Sequence, residues 1–457
     1  MEMETVAGMT TTPCADETAR PWRARTSAPT VILCAALIAL SYIVFHAGIF
    51  ADFRAGWMAG KAFAAGEFDL VYPPHTGVYE MRPPAEWIDR LTASGYKGPV
   101  YPFVYPPLWA WVAAQFTSIT SFDVVARIAT FLNPAMLIGS LLVAHSLAAP
   151  RMNQALYLIS GFVFLTFSMI GTIALYENQP QILVAFLTVL AVERAERGHF
   201  RVAGTALAFA ASLKLFPAFI AILWLAAGRR QAATVFLVIG AALAALSVVL
   251  AGWPLHRTFL AVLGDVSATT LVTKLTYSLE STAAHLVYRD ELRLIAQPLA
   301  GASGEAKTGW YFLAEPRLFH AISNAVQAAA LGALILGFRM LARRRGGRAL
   351  PAAIWPFALM LIALTGPLAW AYYYIAPLVF LPMLIDRIGA FRGIVVISIS
   401  AALLSPFLLA WIPLGDLALT DHFYIVQTLG TLIMAALAAL FLRIALRMPA
   451  QDPTDRP

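Results

Sequence analysis

The sequence predicts an all-α polytopic membrane protein, and three observations carry that expectation. Of 457 residues, 60% are hydrophobic and only 12% are charged. A soluble domain carries about 25% charge, so too few charged side chains are present to coat a globular surface of this size. The mean hydropathy is +0.73. Apolar stretches about as long as a bilayer core recur along the chain, and arginines gather in short clusters between them, as in cytoplasmic loops. The net charge of +7 therefore reads as loop charge. No basic run interleaved with aromatics is present to track a nucleic-acid backbone, so nucleic acid is not an expected partner.

The chain begins polar. Arg20, Arg23 and Arg25 precede an apolar run at Val31 to Ile43 with no small-residue cleavage site directly after it. That pattern predicts an uncleaved signal anchor behind a disordered cytoplasmic tail at 1–27. Spans are expected at 29–50, 123–148, 154–175, 180–196, 231–252, 319–342, 351–368, 371–386, 393–412 and 422–444. The stretch 201–228 is broken at Lys214 and Pro217 and reads as two short helices meeting near the far side of the bilayer. In all, about a dozen crossings are expected. They make a single transmembrane domain at 28–447, followed by a cytoplasmic tail at 448–457.

Arginine placement orients these spans. Arg151, the group Arg194, Arg197 and Arg201, the pair Arg229 and Arg230, the cluster Arg339 to Arg348, then Arg387, Arg392, Arg443 and Arg447 all fall on one side. That side is the cytoplasm. The agreement requires 103–119 to lie along the outer surface as an interfacial helix, which suits its Tyr105-Pro106-Pro107 start and its Trp109 and Trp111. Two large segments then face outward, at about 51–122 and 253–317. Cys14 and Cys34 are not expected to pair, and no metal-ligand spacing occurs. No metal or cofactor is expected.

Five constellations can carry chemistry. Asp52 stands at the outer end of the first span, followed by Arg54 and Lys61, with Gly56 and Gly60 offering a small face for close packing. It is either a solvated or capping acid or a general base at the membrane surface. The Tyr-Pro-Pro units at 72–74 and 105–107 stiffen the chain, and Tyr105 can line a sugar site. Glu177, Asn178, Gln179 and Gln181 form a polar knot around Pro180, more polarity than a cap requires. Lys214 sits inside an apolar run, where a charge costs about 2.5–3.5 kcal/mol. It either snorkels, pairs structurally, or meets an anionic group such as a lipid phosphate. Trp370 with Tyr372 and Tyr373 reads as an interfacial aromatic belt or as a platform for the substrate. Glu280, His285, Asp416, Asp421 and His422 also face outward, and their spacing singles out none of them.

Taken in order, an Asp soon after the first span, Y-P-P-L at 105–108, N-Q-P-Q at 178–181, R-G-H-F-R-V-A-G at 197–204 and S-L-K-L-F-P at 212–217 resemble glycosyltransferase family 87. These are the polyprenyl-phosphate-mannose-dependent α-mannosyltransferases of the GT-C multi-spanning architecture. The resemblance implies transfer of a hexose, mannose first, from a polyprenyl-phosphate sugar to a lipid or glycan acceptor of the cell envelope. It implies inversion, no metal, and a site on the outer face of the inner membrane. Asp52 matches the family's base. Arg54, Tyr105, Asn178, Gln179, Lys214, Trp370, Tyr372 and Tyr373 are the candidates for substrate binding. Two departures stand out. Many members carry Ser-Pro-x-Ser-Trp-x-His late in the chain, and here Tyr372 or Tyr373 stands where the histidine is usual. The aromatic after the Asp is displaced to Trp57. The alternative from another class is a transporter or flippase of a lipid-linked or anionic substrate, which Lys214 and the broken helix pair also suit.

Overall fold

The computed structural model describes residues 27–301, 309–346, 348–406 and 419–447, with the backbone alone at 419–421. The tails expected at 1–27 and 448–457, and most of the outer segment at 413–421 with Asp416, lie outside the described residues. The described chain is predominantly helical. Five helices are long and apolar enough to cross a membrane by themselves. They are α1 (Ala28–Phe45), α5 (Phe122–Ala148), α11 (Arg230–Ala251), α14 (Arg317–Arg344) and the last, α19 (Leu419–Arg447). A bent pair, α6 (Gln154–Phe167) and α7 (Met169–Tyr176), turns by 74° at Ser168 and makes a sixth candidate.

The remaining apolar segments are shorter than the expected dozen spans require, and prolines explain two of the breaks. After α8 (Gln181–Glu196), helix α9 (Phe200–Leu213) stops at Lys214, a short turn carries Pro217, and α10 (Phe219–Ala226) continues. This matches the broken pair read from the sequence. The stretch 371–386, expected as a span, is no continuous helix. It follows α15 (Ile354–Thr365) as a run of turns holding α16 (Ile375–Leu378) and α17 (Met383–Arg387), with Pro377 and Pro382 interrupting the hydrogen-bond ladder. Its side chains from Tyr374 to Leu384 are almost wholly buried at the centre of the main apolar core. A final short helix, α18 (Ala390–Leu403), precedes α19.

The segment between α1 and α5 opens with α2 (Ala51–Ala64), passes through α3 (Ala85–Ala93), and ends in α4 (Pro107–Thr117). With 11 residues, α4 is about 16 Å long, too short to cross a core of about 30 Å. It packs against α2, where a Cβ on Gly60 would lie 2.8 Å from the Ala113 backbone. Gly56, expected to share that role, faces open space. The segment between α11 and α14 holds α12 (Trp253–Ser267), α13 (Leu279–Val287) and an addition to the all-helical expectation. Antiparallel strands β2 (Thr269–Val272), β3 (Arg293–Ala296) and β5 (Gly309–Ala314) form a sheet with β5 central, and Ile295 lies opposite Trp310. Strand β1 (Gly98–Pro99) pairs with β4 (Leu299–Ala300) and joins these two segments. A His75–Asp265 contact of 2.8 Å and the Tyr79 N–H donated to Thr269 Oγ1 at 2.9 Å add to that joint.

Candidate active site

Each chemical group at the site is held by a local structural device. Asp52 sits in the first turn of α2, after Phe50, which takes a left-handed backbone (φ 53°). Its carboxylate accepts a close hydrogen bond from Gln179 Nε2, and Tyr105 Oη donates to Gln179 Oε1 at 3.4 Å. The backbone N–H of Asp52 is donated to Glu177 Oε2 at 3.2 Å. Gln179 and Glu177 belong to the tight turn between α7 and α8. Asn178 makes that turn in the left-handed region (φ 49°), which asparagine tolerates. Its side chain locks onto α5, accepting from Asn133 Nδ2 at 2.8 Å and donating to Thr130 Oγ1 at 2.8 Å.

Lys214 arrives from the break after α9. Pro217 disfavours helix before it, and Trp109 Nε1 donates to Ser212 O at 2.7 Å, tying α4 to that end. The Lys214 ammonium lies over the rings of Tyr373, Tyr372 and Tyr105 at 4.6, 4.9 and 5.5 Å. Among the described residues it makes no ion pair, so aromatic faces hold the cation in place. Trp370 stacks on Tyr372 with ring centres 6.0 Å apart.

These groups share one cavity of about 710 Å³, within the usual range for small-molecule sites. Asp52, Gln179, Lys214, Tyr105, Trp370, Tyr372 and Tyr373 line its polar end. The rest is mostly apolar and runs along α10, α11 and α12 to Leu215, Leu225 and Leu237, each more than half exposed. Burial raises the Asp52 carboxyl above the ordinary aspartate range, and the Gln179 hydrogen bond and the Lys214 charge partly oppose it. Burial, then the Asp52 charge, raise Glu177 as well.

Backbone strain marks the same place. Among the described residues the non-glycine positions with positive φ are Phe50, Met81, Asn178 and Leu368. Met81 and Leu368 line the cavity. Phe50 and Asn178 immediately precede the elements that present Asp52 and Gln179. Each such residue costs about 1–3 kcal/mol and persists where its surroundings enforce it, commonly at functional sites.

Two of the residues grouped as substrate-binding from sequence stand off the cavity. Asn178 points into α5, as above. Arg54 points away from Asp52, with its guanidinium 4.1 Å from the Tyr96 ring and 3.8 Å from the Phe122 ring. A helical residue two positions on from Asp52 faces a different side. Conversely, Tyr79 and Tyr101 line the cavity and had not been singled out. Tyr101 carries a faint signal, because Tyr101-Pro102 repeats the Tyr105-Pro106 step four residues earlier. Tyr79 carries none. Glu280 and His285 lie on α13 and do not line the cavity. Among the described residues no group of three His, Cys, Asp or Glu side chains is arranged to hold a metal.

Fold and site together make this a polytopic helical membrane protein with a largely apolar cavity that is polar at one end. The family model for glycosyltransferase family 87 matches residues 103–339, just over half of the chain. The chain belongs to that family and is a glycosyltransferase. No curated protein is significantly similar to it in sequence. The match includes Tyr105, Gln179 and Lys214, whereas Asp52 and the aromatic group at 370–373 lie beyond its ends.

Proposed function

We propose that this glycosyltransferase moves a hexose, mannose first, from a polyprenyl-phosphate sugar to a lipid or glycan acceptor of the cell envelope. The transfer occurs at the outer face of the inner membrane and inverts the anomeric centre. One observation carries the reading. Asp52 and Lys214 stand at the polar end of a cavity whose other walls are mostly apolar and reach outward-facing leucines. A donor with a charged phosphate and a hydrocarbon tail has that same division. The outward orientation is supported by the arginine clusters gathered at the opposite ends of the spans.

The chemistry is a single displacement. The acceptor hydroxyl oxygen attacks the anomeric carbon, and Asp52 takes its proton. The new glycosidic bond forms as the bond from carbon to phosphate oxygen breaks, and the electron pair leaves on the phosphate. Lys214, held by ring faces and not by a carboxylate, offers its charge to that phosphate. Gln179 keeps the Asp52 carboxylate turned to the cavity.

The test is transfer by the purified full chain from polyprenyl-phosphate mannose to membrane acceptor. Asp52→Asn should lower turnover by about 10²–10⁴-fold, the usual contribution of a positioned base, while donor binding persists. Wild-type turnover in that variant would remove Asp52 as the base.

A further inference from the structure

Helix α2 lacks a cap of its own. Phe50 occupies the N-cap position and its side chain accepts nothing. The first N–H groups of any helix need acceptors, and here a distant turn supplies one. Glu177, 125 residues further along the chain, takes the N–H of Asp52 at 3.2 Å. Glu177 is buried, and among the described residues no arginine or lysine pairs with it. A buried carboxylate without a cation is costly. The positive end of α2 offsets part of that cost, so the group is tolerated where it does one job, holding the start of α2.

We infer that Glu177 is a positioning residue for Asp52, a role that rests on the reading of Asp52 as base. The turn at 177–179 grips that residue twice: Glu177 takes its main-chain N–H, and Gln179 donates to its carboxylate. The turn is itself fixed, because Asn178 anchors it to α5. Asp52 is thus set by α5 through this turn, independently of Lys214, Tyr372 and Tyr373, which come from other elements and face the donor. Loss of Glu177 frees the start of α2 and lets the base drift while the donor groups stay in place. A misplacement of about 1 Å costs on the order of 10²-fold in rate.

The experiment compares Glu177→Ala and Glu177→Gln in the purified full chain, with polyprenyl-phosphate mannose as donor. Glu177→Ala should lower kcat on the order of 10²-fold, leaving donor KM and the amount of folded protein close to wild type. Glu177→Gln keeps an oxygen for the Asp52 N–H and should return to within about tenfold of wild type, one weakened hydrogen bond. An unchanged kcat in Glu177→Ala, or a rise in donor KM that matches the loss, overturns the positioning role. So does a Gln variant as slow as the Ala variant, since the charge itself would then be required. A wild-type protein that transfers no polyprenyl-phosphate hexose overturns both this role and the donor reading, whereas normal wild-type transfer with an indifferent Glu177 overturns the role alone.

Discussion

Buried carboxylates stand at the C-terminal end of α8 and in the turn that leads into it, and they are treated in opposite ways. At its C-terminal end Glu193 accepts from Arg194 Nε at 2.5 Å and closely from Arg197 Nε. Glu196 accepts from Arg229 Nη2 at 3.2 Å and from the Leu350 N–H at 2.7 Å. Just before its N-terminal end stands Glu177, beside Asp52, where the acceptors meet only backbone N–H groups and the Gln179 amide. The helix dipole accounts for part of the contrast. A carboxylate at the C-terminus of α8 is disfavoured and needs cations, whereas Glu177, although it closes α7, meets the N-terminus of α2, where an acid is tolerated without them. The consequence is functional. A carboxylate clamped by arginines cannot readily take a proton, whereas one facing a cavity without a cation clamp can. Buried acids alone therefore do not mark a site: Glu280, bonded to Thr270 and Ser323, lies off the cavity, and what sets Asp52 apart is that it faces the cavity.

The contrast is broken most completely by topology. With Cys14 and Cys34 replaced by serine, Lys97→Cys and Arg344→Cys, both at exposed positions, place one thiol at each end of the molecule. An impermeant maleimide on intact cells should label position 97 and reach position 344 only after permeabilisation. Equal labelling of both from one side would put the two carboxylate pairs on the same face of the membrane.

Next in size is a double dissociation with the Asp52→Asn result proposed above. Glu193→Ala removes the carboxylate that Arg194 and Arg197 share and should destabilise the fold on the order of 3 kcal/mol, as breaking a buried pair does. Turnover per folded molecule should stay near wild type. Thermal unfolding in detergent together with active-site-normalised rates separates the two effects. A rate loss like that of Asp52→Asn without destabilisation would erase the distinction between the two ends.

The smallest effect is a shift in pH dependence. A base must be deprotonated to work, and an aspartate in water loses its proton near about 3.9. Burial raises the Asp52 carboxyl, so the protonated, inactive form persists to higher pH. The acidic limb of kcat should lie above the ordinary aspartate range, with turnover falling as pH drops through it. Because the Lys214 charge pulls the Asp52 value down, Lys214→Met should move that limb higher still. A limb at the ordinary aspartate value would mean that Asp52 is solvated during turnover.

Properties whose physics is local were legible in the chain alone. The cost of charge in hydrocarbon singles out Lys214, and proline geometry breaks 201–228. The order of short motifs led to the glycosyltransferase family. Proline geometry also acted in 371–386, where the apolar run read as a span although Pro377 and Pro382 lay in it. Its depth in the core is a tertiary fact. So is the membership of the cavity. Which face of α2 a side chain occupies relative to Asp52 moved Arg54 outside. A hydrogen-bonded clamp to α5 turned Asn178 away, and the joint between the 51–122 and 253–317 segments brought in Tyr79 and Tyr101. Glu177 reads as one polar residue among four in sequence. Only packing of the turn at 177–179 against the start of α2, across 125 residues of chain, brings its carboxylate to the Asp52 N–H, because contact over such separation depends on the whole core and not on spacing.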